Sequence, residues 1–175
     1  MHGNGTYETV DGRPAVRFER RLAHPAEAVW RAVTEPEELR HWFPATVTLD
    51  PRRGGRIEFA AEDAPTTEGE VTEYDPPRRF AFTWGGSLVS MELEPEDDGA
   101  ACRLTFVHVL ETRVAAARDA AGWHVCLDRL EDRLAGRPGD APGSDPTAEW
   151  RAHYDEYRRR GVPEGAPVPG ETPGA

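Results

Sequence analysis

Between Val47 and His108 apolar residues fall on every second position, and only short turn-forming stretches break the run. A period of two marks strands with one face buried and the other wet. Val47 and Leu49 carry one strand, and Ile57 and Phe59 carry the next after the turn Arg52-Arg-Gly-Gly55. Glu68 to Tyr74 follows, and Asp75-Pro-Pro77 ends it before Phe80, Phe82 and Trp84. Gly85-Gly86 then leads into Val89, Met91 and Leu93, and Asp97-Asp-Gly99 into Cys102, Leu104, Phe106 and His108. Connections this short join spatial neighbours, so the strands pair antiparallel. Intervening positions such as Glu92, Glu94, Arg103 and Thr105 are mostly polar, as a sheet covered on one side requires.

The flanks have other periods. Thr6 to Val10, Asp11-Gly12 and Val16 to Leu22 read as strand, turn and strand, with Pro14 disturbing the pairing. His24-Pro25-Ala26-Glu27 opens a helix with proline in its first turn; Ala28, Val29, Ala32 and Val33 form its apolar stripe, and Trp30 lies at the stripe's edge. A second, shorter helix begins at Thr34 or Glu35 and ends near Trp42-Phe43-Pro44, so two short helices follow the first strand. After the strands, Val114 to Gly136 reads as one long helix that places Trp123, Leu127, Leu130 and Leu134 on a single face. Gly122 interrupts it at a cost of about 1 kcal/mol relative to alanine, which predicts a close approach or a local bend. The expected fold is therefore α+β, with a curved antiparallel sheet wrapped around a long C-terminal helix. A hollow between such layers is the usual shape of a small-molecule site.

Composition shifts at residue 138, which divides the chain into a domain over 1–138 and a Pro/Gly-rich tail over 139–175. Pro138 to Pro146 reads as a linker, and Asp145-Pro146 as the cap of a helix over about 146–160 that aligns Trp150, Tyr154 and Tyr157 on one face. That face is expected to dock on the domain or on a partner. Gly161 to Ala175 alternates proline and glycine too densely to pack and is expected to be disordered.

Charge narrows the list of partners. The net charge of -11 and a pI near 5.0 repel phosphate backbones and anionic bilayers, which argues against nucleic acid and against membrane insertion. The basic residues are all arginine and form no dominant cluster. Cys102 and Cys126 are too few and too far apart for a disulfide framework or a zinc knuckle, and read as small core residues in a reducing compartment. The first residues lack the charged start and apolar run of a leader, and no apolar run is long enough to cross a bilayer, so a cytoplasmic, soluble protein is expected. At 175 residues folding hides roughly two thirds of the unfolded surface, and no staple or cofactor is called for.

A set of motifs in fixed order resembles one family. Pro25-Ala-Glu-Ala-Val-Trp30, Thr34-Glu-Pro36, Trp42-Phe-Pro44, Gly54-Gly-Arg56, Gly69-Glu-Val71, Asp75-Pro-Pro-Arg-Arg79, Phe82-Thr-Trp84, Leu104-Thr-Phe-Val-His108 and Gly122-Trp123 followed by Leu127 and Leu130 look like the bacterial homologues of the activator of the ninety-kilodalton heat-shock protein's ATPase. That family belongs to the SRPBCC, or START-like, superfamily, and the resemblance runs from about residue 15 to residue 136. It implies the helix-grip (START/Bet v-like) fold for the first domain. Relatives in the superfamily carry lipids, bind hydrophobic ligands, cyclise polyketides or assist chaperones, so the fold alone does not fix an activity. The eukaryotic activator adds an amino-terminal domain that engages the chaperone. This chain has no room for it, so direct activation is not expected.

Alternation aims Phe59, Phe82, Trp84, Met91, Phe106 and His108 at the helix face that carries Trp123 and Leu127. Such side chains build either a core or an apolar pocket, since each large aromatic buries about 150–250 Å². His108 is the polar group on that face, either a neutral histidine bonded to a neighbour or the group that orients a ligand. Trp42 and Phe43 read as a gate to the cavity or as a plug fixing the short helices to the sheet. Glu73 shares the alternation of Gly69 and Val71 and could point inward, but a strand end leaves it an easy way out to water; His124 is expected at the sheet edge or in solvent, and His41 at the surface. No nucleophile elbow, phosphate loop or dinucleotide fingerprint occurs, and the spacing of His108, His124 and Glu73 demands no metal. Three readings follow. The first is a carrier of a small hydrophobic molecule held by Trp42, Phe43, Phe59, Phe82, Trp84, Met91, Phe106, His108, Trp123 and Leu127. The second is an enzyme resembling polyketide cyclases and dehydratases, with His108 moving protons. The third is an interaction protein serving a chaperone or regulator, with a protein partner or a second copy docking on the sheet edge or the tail helix.

Overall fold

Tight turns join the alternating stretches into eight strands: β1 (Thr6–Val10), β2 (Arg13–Leu22), β3 (Thr46–Leu49), β4 (Arg56–Ala61), β5 (Ala64–Asp75), β6 (Arg79–Trp84), β7 (Ser87–Glu96) and β8 (Ala101–Val109). The structure, a computed structural model, describes residues 3–62, 64–137, 139, 142 and 146–169. The strands form one curved antiparallel sheet in the order β1-β2-β8-β7-β6-β5-β4-β3. β3 to β8 run as a meander, and β8 closes the sheet by pairing with β2. Helices α1 (Ala26–Thr34) and α2 (Pro36–Leu39) fill the crossover from β2 to β3, so they follow the opening hairpin rather than its first strand. Pro14 sits opposite Thr9 without breaking that hairpin.

Register decides what faces the interior. Phe18, Phe106, Met91 and Phe80 stand opposite one another across β2, β8, β7 and β6, and Val16, His108, Val89, Phe82 and Val71 form a parallel row. His108 thus lies in an otherwise apolar row. The row ends at an irregularity, because β5 pairs Val71 with Phe82 but Glu73 with Ala81, a slip of one residue. Such a bulge exchanges inner and outer positions. Glu73 is consequently exposed, 3.9 Å from the Arg79 guanidinium, and Tyr74 takes the inner place beside Trp30 and Phe80. Of the two placements open to this carboxylate, the outward one is found.

Helix α3 (Ala116–Leu134) crosses this face and buries Trp123, Leu127 and Leu130. It runs unbroken through Gly122 and is preceded by one 3-10 turn over Arg113–Ala115. The space between α3 and the sheet is filled by rings. Phe106 lies 4.7 Å from Trp123, and Phe43 lies 5.5 Å from Trp123, 5.3 Å from Trp84 and 6.0 Å from Phe59, centroid to centroid. Each fully buried leucine or phenylalanine side chain contributes about 1.5–3 kcal/mol, so these rings form the main core of the domain.

The tail packs on the domain. Helix α4 (Ala148–Arg159) lies along α3 and buries Trp150 and Tyr157. Its cap is Thr147, whose hydroxyl accepts the Trp150 amide at 3.1 Å; Asp145, the expected cap, and most of the linker lie outside the described residues. The following stretch to Pro169 also packs, contrary to expectation from its proline and glycine content. The Pro163 carbonyl accepts the Ala117 amide at 2.9 Å and the Ala166 amide donates to Val114 at 3.1 Å. The reason is that a helix's first amides have no partner of their own, and an extended proline-rich segment offers carbonyls to them. Among the described residues no helix is long and apolar enough to cross a membrane.

Candidate functional site

The open volume lies beside α3 rather than beneath it. A groove of about 580 Å³ runs between three walls. The sheet contributes Trp84, Ser87 and His108 from the ends of β6, β7 and β8; α3 contributes Gly122, Trp123, Cys126 and Arg129; the tail contributes Thr147 and Trp150. Gly122 keeps the groove wide. A methyl group there would meet the Trp150 indole nitrogen at 3.8 Å, an ordinary contact, so glycine is not required to avoid a clash and neither bends the helix nor relieves strain. Two ion pairs lie at the rim: Arg118 with Asp119 at 2.7 Å and Arg129 of α3 with Glu149 of α4 at 2.8 Å. The volume is within the usual range for small-molecule sites, about 300–1,000 Å³.

His108 is the polar group whose protonation geometry can be worked out. The Trp123 indole N–H donates to its Nδ1 at 2.9 Å, and an indole can only donate. Nδ1 must therefore hold a lone pair, and in the neutral ring the proton sits on Nε2. The neutral ring is the stable form, because burial pushes the imidazole down to about 4. Nε2–H has no protein acceptor among the described residues, and His108 lines the groove. The arrangement presents one hydrogen-bond donor to a guest. Cys126, also on the wall, is raised well above the ordinary thiol range by burial, and Cys102 is pushed up to about 11 by the same cause. Both stay protonated and are poor nucleophiles.

The sequence profile of the family described as "Activator of Hsp90 ATPase homolog 1-like protein" matches residues 23–135. The chain belongs to this family. Its fold is correspondingly the SRPBCC helix-grip arrangement, and solved structures agree. CalU16 from Micromonospora echinospora superposes with a TM-score of 0.70 at 22% identity, covering 93% of this chain and 98% of CalU16. EF2215 from Enterococcus faecalis, a conserved protein of unknown function, gives 0.69 at 20% identity with 89% of each chain covered. BH1534 from Bacillus halodurans gives 0.60 at 27% identity, covering 69% of this chain and 96% of its own. No curated protein matches. The two longer matches extend well beyond the family's 113-residue span over 23–135, so their shared architecture is larger than the family's common core.

Within this family member the residues singled out by alternation separate into two groups. Trp84, His108 and Trp123 come together at the groove. Phe59, Phe82, Met91, Phe106 and Leu127 lie in the close-packed core instead and do not line it, because register points them at α3 where rings already meet. Trp42 and Phe43 are also core: the Trp42 indole donates to the Ala32 carbonyl at 2.8 Å, and Phe43 is wedged between Phe59, Trp84 and Trp123. They form a plug. His124 is not at a sheet edge or in solvent. It is buried against α4, with its Nδ1 2.8 Å from the Tyr157 hydroxyl. The wall residues Ser87, Gly122, Cys126, Arg129 and Trp150 were not expected at a site. Gly122, Cys126 and Arg129 follow helical spacing on the flank adjoining the apolar face, a pattern legible in the sequence, but nothing in it says that a second helix covers that flank.

Proposed function

We propose that the protein binds a small, largely apolar molecule in the groove between the sheet ends, α3 and α4. The observation that carries this reading is the convergence of three tryptophans, Trp84, Trp123 and Trp150, from three separate elements around one neutral donor, His108. Flat apolar surfaces supply burial, and a single N–H fixes orientation through a carbonyl or hydroxyl of the guest. The same geometry favours holding over proton transfer. The nitrogen facing the groove already carries its proton, and a ring held near 4 is a weak base at neutral pH. A docking role for the tail helix alone has less support, since Trp150 and Tyr157 are buried within the chain.

Native mass spectrometry of protein purified from its own host tests the reading. Wild type is expected to carry an added mass of one small molecule. Gly122→Leu, which fills the groove, should lose that mass while keeping its near-ultraviolet circular dichroism, and His108→Asn, which keeps an acceptor for Trp123 but removes the outward N–H, should bind about tenfold more weakly, the equivalent of one hydrogen bond. An added mass that persists unchanged in Gly122→Leu would place the guest elsewhere.

A further inference from the structure

A second constellation lies in the seam between α3 and α4, one turn beyond Trp150. His124 and Asp128 sit four residues apart on α3, and His153 of α4 faces them. The Asp128 Oδ2 atom is 3.8 Å from His124 Nε2 and 3.9 Å from His153 Nε2. Ligand-grade atoms of all three residues lie within 4.8 Å of one another.

We propose that His124, Asp128 and His153 bind a divalent transition-metal ion, Zn2+ being the representative case, and that the ion fastens α4 to α3. The donor set is chemically apt: two imidazoles and a carboxylate suit zinc, with water completing the shell. Zinc bonds of about 2.0–2.1 Å in a tetrahedron set ligand atoms about 3.3 Å apart, so each histidine nitrogen has to draw about half an ångström closer to Asp128 Oδ2. The two imidazoles, stacked at 3.7 Å and 17°, have to rotate out of that stack for both in-plane Nε2 lone pairs to meet at one point.

The opposite atoms of the same ligands are held from behind. His124 Nδ1 lies 2.8 Å from the Tyr157 hydroxyl, so the metal-bound ring keeps its proton there and donates it to that oxygen. Asp128 Oδ1 accepts from the Arg20 guanidinium at 2.8 Å, leaving Oδ2 toward the histidines. Outer contacts of this kind fix tautomer and orientation in metal sites. The ion can reach its place, because the Asp128 and His153 side chains keep 18% and 24% of their exposure. Since His153 follows Trp150 by one turn, an ion here would also hold one wall of the groove.

The test is thermal unfolding of the tag-free, chelator-stripped full chain with added Zn2+. At about 100 times the dissociation constant the melting temperature is expected to rise by about 5–10 °C. His153→Ala should abolish the rise, and so should His153→Phe, which keeps a ring stacked on His124 but offers no ligand and guards against simple loss of packing. Cobalt titration should give a visible ligand-field band in wild type and none in either variant. No rise in wild type, or an equal rise in both His153 variants, overturns the proposal.

Discussion

The two flanks of α3 are built from different chemistry. Toward the sheet, Trp123, Leu127 and Leu130 meet Phe106, Met91 and their neighbours in a dry interior with rings in contact. Toward α4, the same helix meets its partner through an imidazole pair, a tyrosine hydroxyl and an arginine–glutamate bridge, and a groove is left between them. Apolar packing is non-directional, so it closes until the volume is gone. Hydrogen bonds and ion pairs have fixed lengths and directions, so elements joined by them stand apart wherever the contacts dictate. The open volume therefore lies along the polar seam, although the apolar face looks more like a binding surface in the sequence.

The sharpest way to break this contrast is Phe106→Ala. If the inner flank is solid, the substitution costs about 3–5 kcal/mol in urea unfolding and leaves ligand binding per folded molecule unchanged. A loss below about 1 kcal/mol, or a binding defect without instability, would mean that the inner face holds usable space.

Acid stability gives a somewhat smaller effect. His108 is held near 4 when folded against about 6.5 when unfolded, so between these values the unfolded chain binds the extra proton. Stability from this residue is intact above pH 6.5 and falls as pH drops to 4 and below, by about 3 kcal/mol in all. Comparing denaturant midpoints of wild type and His108→Asn across that window should show the variant losing less. Equal slopes would mean that burial does not keep the ring neutral.

The smallest effect is expected at Gly122→Ala. In the helix interior alanine gains about 1 kcal/mol over glycine, and the structure has room for the methyl at ordinary contact distance from Trp150. The melting temperature should rise by a few degrees while affinity for a groove ligand falls, which separates the requirement for stability from the requirement for space.

Much of this architecture was readable residue by residue. Alternation from Val47 to His108 gave six strands and their common face, and the 123/127/130/134 spacing gave the helix that crosses it, because both periods follow from local backbone geometry. The family motifs added the fold's name. At the site, alternation correctly turned Trp84, His108 and Trp123 inward, but it could not tell which inward residues border a void. Phe59 and Phe106 obey the same pattern as Trp84, and only three-dimensional neighbours distinguish them. The placement of Glu73 stayed open because a one-residue slip leaves no trace in hydropathy. His124 was misplaced because the helix that buries it comes from beyond a proline-rich stretch.

The sequence by itself determined the layers, since a two-residue and a 3.6-residue period each commit a segment to one shape and one buried face. It also fixed the acidic surface and the inventory of tryptophans and histidines. Only the tertiary structure decided where volume remains, what Trp123 does to the proton of His108, and that His153 comes to rest against His124 and Asp128. Those outcomes depend on contacts between residues 15 to more than 60 positions apart, whose distances no local pattern encodes.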